Sequence, residues 1–166
     1  MSTDQSNPYV IRALLCIAVC CGLFIAVIWY SSIVYRNKVI EAASHGTVED
    51  IKYFIEHGAS VNEKSFVGLS LLHYAALFNH DIDVLKYLVE QGANVNAKTK
   101  YDQTLLHIVA SSPDSNIEVL KYLIEQGVDV NAKDNRGRTP LDCVTNKEME
   151  TILREAGGKL GEELPE

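Results

Sequence analysis

The chain lacks most of what chemistry at a site requires. It has no Cys-x-x-Cys, no His-Glu-x-x-His and no phosphate-cradling Gly-rich loop, which removes the usual metal-ligand and nucleotide-binding spacings. Of four cysteines, Cys16, Cys20 and Cys21 crowd into one apolar block near the N-terminus, leaving Cys143 alone in the remainder. A lone cysteine closes no internal disulfide, which agrees with a reducing compartment, and Cys143 reads as a buried, inert thiol. Basic charge is also short. The formal net charge is −7, carried after residue 35, and leaves no electrostatic footprint for nucleic acid. No Gly/Ser/Pro-rich stretch separates the apolar block from the remainder of the chain, so a flexible tether is missing. At 166 residues there is room for one domain and an appendage.

What the chain has is repetition. Asp83-Val-Leu-Lys-Tyr-Leu-Val-Glu-Gln-Gly-Ala-Asn-Val-Asn-Ala-Lys98 returns almost unchanged over residues 118–133, and a weaker copy spans residues 49–64. Gly58, Gly92 and Gly127 are about 34 residues apart, a period that marks a stacked repeat architecture. Between the copies, Ser70-Leu-Leu-His73, Thr104-Leu-Leu-His107 and Thr139-Pro-Leu-Asp142 keep the same period. Val84, Leu85, Leu88 and Val89 fall on one face of a helix. The glycine after each copy sits where a helix stops in the left-handed conformation, which a residue with a Cβ enters only at a cost. A helix pair of this kind cannot bury its own stripe, so it needs neighbours, and about three repeats are the minimum.

Two separated motifs that keep register three times, over about residues 37–159, resemble the ankyrin repeat. The resemblance implies an all-α solenoid of helix-turn-helix units with β-turn or hairpin tips. Its expected extent is residues 36–160, in units of about 37–64, 66–97, 101–132 and 135–159, the last a polar cap. An acidic tail, 161–166, is expected to fray. Thr47-Val-Glu-Asp50 reads as a capping box, and so does Ser115-Asn-Ile-Glu118. Leu71 and Leu105 depart from the family's proline, and Asp102 stands where the other tips have Gly68 and Gly137. Because all the apolar stripes pair within it, the solenoid is expected to be monomeric.

The five histidines do not form a ligand set. The resemblance assigns His73 and His107 to hydrogen bonds between neighbouring turns, one repeat apart. His57 falls at a helix C-terminus, where a cation is favoured. His45 and His80 are expected in surface turns between helices. Acid pairs such as Glu49/Asp50 and Asp81/Asp83 offset helix dipoles. The expectation is a protein with no catalytic, metal or cofactor-binding residues and no small-molecule substrate.

The apolar block has its own reading. No charged residue occurs from Ala13 to Tyr35; as a helix rising about 1.5 Å per residue, the run exceeds the roughly 30 Å hydrocarbon core of a bilayer. Tyr9 lies near one end, and Trp29, Tyr30 and Tyr35 near the other, as headgroup anchors do. The expectation is a transmembrane helix over 13–35 behind a short polar N-terminus, 1–12. A cleaved leader and a lipid-modified Cys20 or Cys21 are the alternatives. Ile28-Trp-Tyr-Ser-Ser offers no Ala-x-Ala-like site, and Val19 is large for a lipobox. Arg36 and Lys38 after the run, against Arg12 before it, bias the solenoid slightly toward the cytoplasm.

Surface remains as the carrier of function. The resemblance implies binding through turn tips and inner-helix faces, and register places Phe66, Val67, Lys100, Tyr101, Asn135 and Arg136 at tips. Tyr74, Phe78 and Ile108 fall on inner helices. These positions are more aromatic than a bare solvated groove needs. The reading is a membrane-anchored, non-catalytic protein-interaction scaffold. A secreted or lipid-anchored effector that binds host proteins, or a non-catalytic anchoring or inhibitory subunit of an enzyme, stays open beside it.

Overall fold

A computed structural model of the chain describes residues 32–79, 81–113 and 116–165, and it divides into two compact units, 1–38 and 39–166. Of the first unit, the described residues 32–38 are helical. The expected transmembrane helix over 13–35 lies outside the described residues except for its last four positions. The N-terminus 1–12, His80, Ser115 and Glu166 lie outside them too. Among the described residues no helix is long and apolar enough to cross a membrane.

The second unit stacks short helices in pairs. Residues 39–45 form α1, followed by α2 (Val48–Glu56), α3 (Leu71–Phe78), α4 (Ile82–Glu90), α5 (Leu105–Ser111) and α6 (Ile117–Glu125). A 3-10 turn (Pro140–Cys143) replaces the next inner helix, then α7 (Lys147–Glu155) and a last 3-10 turn (Gly161–Glu163) close the chain. The inner helix α3 packs on α4 and on α5, and α5 packs on α6 and on the Pro140–Cys143 turn. Among the described residues no sheet forms, and the β pairing is one bridge between Lys64 and Ser70.

Sequence explains each layer. The outer helices are amphipathic: α4 buries Val84, Leu85 and Leu88, and α6 buries Val119, Leu120 and Leu123. The inner helices are covered on several sides and read as nearly continuous apolar runs. Leu71, Leu72, Ala75 and Ala76 of α3, and Leu105, Leu106, Val109 and Ala110 of α5, are all buried. Each buried leucine contributes about 1.5–3 kcal/mol, and the alanines let neighbouring backbones approach. The Thr47 box forms as expected, with the Thr47 N–H donating to Asp50 Oδ2 (2.9 Å) and the Asp50 N–H to Thr47 Oγ1 (3.4 Å). At α6 the expected Ser115 box cannot be followed, because Ser115 lies outside the described residues. Asn116 is the N-cap, and its Oδ1 accepts the Glu118 N–H at 2.8 Å, as Asp81 Oδ1 accepts the Asp83 N–H at the start of α4 (2.9 Å). A short side chain of this kind reaches the second amide of the helix directly.

His73 and His107 act first within their own turn. The N–H of Ser70 and that of Thr104 each donate to the following histidine's Nδ1 at 3.2 Å, so the ring hydrogen is assigned to Nε2. His107 Nε2 then donates to the Arg138 carbonyl in the next repeat (2.9 Å), the bond expected between neighbouring turns. His73 makes no such bond: its Nε2 is buried without an acceptor among the described residues. The carbonyl in Arg138's register belongs to Gln103, which takes the Thr99 N–H at 2.9 Å. Other side chains tie repeat to repeat. Asn79 Nδ2 donates to the carbonyls of Ala43 (3.1 Å) and Gly46 (3.0 Å), and Asn62 Nδ2 to that of Gly92 (3.0 Å).

The C-terminal segment, expected to fray, is folded onto the stack. Gly161 N–H donates to Asp142 Oδ2 (2.8 Å), Thr139 Oγ1 to the Lys159 carbonyl (2.7 Å), and Lys133 Nζ to the Leu164 carbonyl (3.3 Å). Lys64 reaches the Lys98 carbonyl in the same register (3.1 Å), so residues 159–165 take the place of one more tip. Composition alone points to a solvated tail; the groups that hold it come from residues 19–31 positions away.

Two outcomes test this account on a fragment spanning residues 34–166. A Cβ added to Gly92 (φ +86°) would meet nothing within 4 Å, whereas a Cβ on Gly68 (φ +84°) would lie 2.8 Å from the Lys100 nitrogen. Gly92→Ala is therefore expected to cost about 1–2 kcal/mol from the left-handed backbone alone, and Gly68→Ala distinctly more; urea unfolding midpoints check the order. The second outcome concerns acid. Burial, with the Lys64 charge adding to it, pushes the His73 imidazole down to about 4, and burial lowers His107 as well. An unfolded imidazole binds its proton below about 6.5, and folded His73 refuses it until about 4. Stability is thus full above pH 6.5 and falls toward pH 4, by up to about 1.4 kcal/mol per pH unit for this site. His73→Gln is expected to flatten that slope in unfolding free energies measured from pH 7 to 4.5. Asp50, Asp134 and Asp142, all lowered, lose their contribution only below about pH 4.

Candidate interaction surface

Three tight turns of one design form the tips. In each, the first residue's N–H donates to the fifth residue's carbonyl: Ser65 to Leu69 (2.8 Å), Thr99 to Gln103 (2.9 Å) and Asp134 to Arg138 (2.9 Å). The fourth residue takes a left-handed backbone, Gly68 and Gly137 without penalty and Asp102 at φ +58°. Asp is among the few side chains that tolerate this region. Neighbouring tips are joined by backbone bonds, Lys100 N–H to the Val67 carbonyl (3.4 Å) and Asn135 N–H to the Tyr101 carbonyl (3.1 Å). These bonds fix Val67, Tyr101 and Asn135 as successive neighbours along one face.

The tips are held with unequal strength. Asp134 Oδ1 accepts the N–H groups of Arg136 and Arg138, both at 2.9 Å. Its Oδ2 accepts from Arg138 Nη2 (2.8 Å) and Nε (3.1 Å). Burial works to raise the Asp134 carboxyl, but the Arg138 and Arg136 amides and the guanidinium outweigh it and keep it below the usual carboxylate range. The same register holds Thr99, whose Oγ1 accepts the Tyr101 N–H (3.2 Å), and Ser65, whose buried hydroxyl has no partner among the described residues. Bracing therefore grows from the first tip to the third.

Several large apolar side chains of the tips and inner helices are exposed. Phe66 is 71 % exposed, Tyr101 57 %, Val67 49 % and Phe78 45 %. Val67, Leu69, Thr99, Tyr101, Gln103 and Ile108 line a recess of about 180 Å³. A second, of about 240 Å³, is lined by Tyr101, Gln103, Asp134, Asn135, Arg136 and Arg138. The structure thus brings Val67, Tyr101 and Ile108 together in one pocket and Tyr101, Asn135 and Arg136 in the other. Tyr74 and Phe78 stack on each other along α3, centroids 6.4 Å apart, with His45 6.3 Å from Phe78, outside both recesses. Lys100 is exposed at its tip.

Leu69, Thr99, Gln103 and Arg138 also line these pockets and were not among the expected site residues. Their register, at the first and last positions of the tips, was the available signal. One further exposed aromatic lies on an outer helix: Tyr53 of α2 is 55 % exposed and stacks on His57, centroids 4.1 Å apart. His57 Nδ1 donates back to the Tyr53 carbonyl (2.7 Å). Cys143 is half-buried, and burial raises its thiol, so it is a poor nucleophile. Among the described residues no cluster of His, Cys, Asp and Glu is arranged to hold a metal ion.

Among curated proteins none matches the chain. A family model described as ankyrin repeats (3 copies) matches residues 15–99 and again 81–157. That family is typically a protein-protein interaction scaffold and typically non-catalytic. The repeated tips, the paired helices and this match over most of the length lead to one conclusion: the chain belongs to the ankyrin repeat family.

Proposed function

We propose that the protein is a membrane-anchored, non-catalytic scaffold that binds a protein partner through its tips and inner helices. The observation that carries the binding half is the pair of exposed apolar residues Val67 and Tyr101, which share a recess with Ile108. Aromatic side chains next to a pocket are where binding energy concentrates in interfaces. Supporting the anchor is the uncharged run over 13–35 with aromatic residues near both ends. The solenoid faces the cytoplasm in this reading, in keeping with Arg36 and Lys38 after the run.

Each half has its own measurement. Proteins recovered with the full chain after mild crosslinking are expected to be lost in Val67→Glu and Tyr101→Ser and kept in Tyr53→Ser, which alters an outer helix. Equal recovery with all three variants would remove the tip face as the binding surface. For the anchor, Cys16, Cys20, Cys21 and Cys143 are changed to Ser and Glu162→Cys is added on the folded C-terminal turn. A membrane-impermeant maleimide is expected to label that cysteine after lysis and not in intact cells, and carbonate washing is expected to leave the chain in the membrane fraction.

A further inference from the structure

The charge around the tips is opposite to that of the rest of the stack. Helices α2, α4, α6 and α7 each carry more carboxylates than cationic side chains. At the second and third tips the order reverses, with Lys100, Arg136 and Arg138 there and Lys98 and Lys133 just before them. Asp134 is buried and bound to Arg138, and Asp102 is the one exposed carboxylate of the three tips. Arg136 lines the polar recess, and Lys100 lies at the tip between it and Val67.

The two recesses share Tyr101 and Gln103 as a common wall. One is lined by Val67, Leu69 and Ile108 on its apolar side; the other opens on two guanidinium groups. Each is smaller than the roughly 300–1,000 Å³ that a drug-sized ligand occupies, and fits one side chain. An extended chain places alternate side chains on one face about 7 Å apart, so one strand can serve both. A flat lipid surface would meet Phe66 and the lysines but would leave the recess between tip and inner helix unfilled.

Taking the proposed binding face as given, we propose that its partner is an extended acidic segment. A large aliphatic or aromatic side chain of that segment enters the Val67–Tyr101–Ile108 recess, and a carboxylate within two residues of it meets Arg136 and Lys100. The guanidinium of Arg136 supplies a planar two-donor fork for a carboxylate, and the excess of positive charge speeds the encounter in low salt. The acidic outer helices turn the same segment away from the rest of the stack.

The test uses the full chain in neutral detergent, a displayed library of random peptides, and vesicles with and without phosphatidylserine. Selected peptides are expected to pair an apolar residue with Asp or Glu one or two positions away. Binding of a synthetic peptide from that selection is expected to weaken by about tenfold or more in Arg136→Glu and in Val67→Glu, and to weaken with added salt. Both positions are exposed, and unchanged thermal midpoints confirm that the variants fold. Selected peptides that lack acidic residues but are lost in Val67→Glu would overturn the acidic partner and leave the binding face standing. Peptides indifferent to both substitutions would remove the face as well. Failure to select any peptide, or binding confined to phosphatidylserine vesicles and lost in Arg136→Glu, would overturn the proposal, the latter in favour of a lipid surface.

Discussion

The helices from α2 onward are too short to stand alone. The α-helices from α2 to α7 have 7 to 9 residues, and isolated helices shorter than about 12–15 residues are marginal in water. Their stability has to come from neighbours, and the stack is therefore a chain of nearest-neighbour dependences. Several polar ties between repeats share one pattern. A side chain from one repeat donates to a backbone carbonyl of the next: Asn62 to Gly92, Lys64 to Lys98, His107 to Arg138, Asn131 to Gly157. Because the acceptor is main chain, the side chain at the accepting position is free to vary. Stacking thus leaves tip residues such as Tyr101 and Arg136 available for another purpose.

What could be read from the sequence was what repeats locally. Gly58, Gly92 and Gly127 announced helix ends, and all three have the positive φ that such ends require. Thr47 and Asp50 announced a cap because the whole motif lies within four residues. The tail, by contrast, misled. Gly161, Leu164 and Pro165 are ordered by Asp142 and Lys133, and composition at 161–166 carries no trace of those acceptors and donors. For the surface, register was enough to place Val67, Tyr101 and Arg136, but not to say that Val67, Tyr101 and Ile108 close one recess. That depends on tip-to-tip bonds between residues more than thirty positions apart.

The C-terminal end of the stack is finished by a change of residue. At the C-terminal end, Asp142 takes over the histidine's place in the turn. Its Oδ2 accepts the N–H groups of Thr139 (2.7 Å) and Gly161 (2.8 Å). A carboxylate accepts from both sides, where an imidazole must keep one nitrogen as a donor. Histidine suits an interior junction that has a carbonyl beyond it, and aspartate suits the last one, where a terminal amide folds back. The polar face of α7, with Met149 and Leu153 buried beneath it, completes the same cap.

Local imperfections gather at the junction between the first and second tips. Ser65 has a buried hydroxyl and His73 a buried Nε2, each without a partner among the described residues, and an unpartnered buried group costs about 1–3 kcal/mol. Asp102 holds a left-handed backbone where the neighbouring tips have glycine. One junction further on, Asp134, Arg138 and His107 are fully engaged. The apolar recess lies at the first of these junctions, with Val67 on one tip and Tyr101 on the other. Strain and missing bonds persist where the rest of a structure over-determines them, and they cluster where a surface has work other than stability. The third tip is braced by its ion pair, and the less satisfied junction beside it carries the apolar recess.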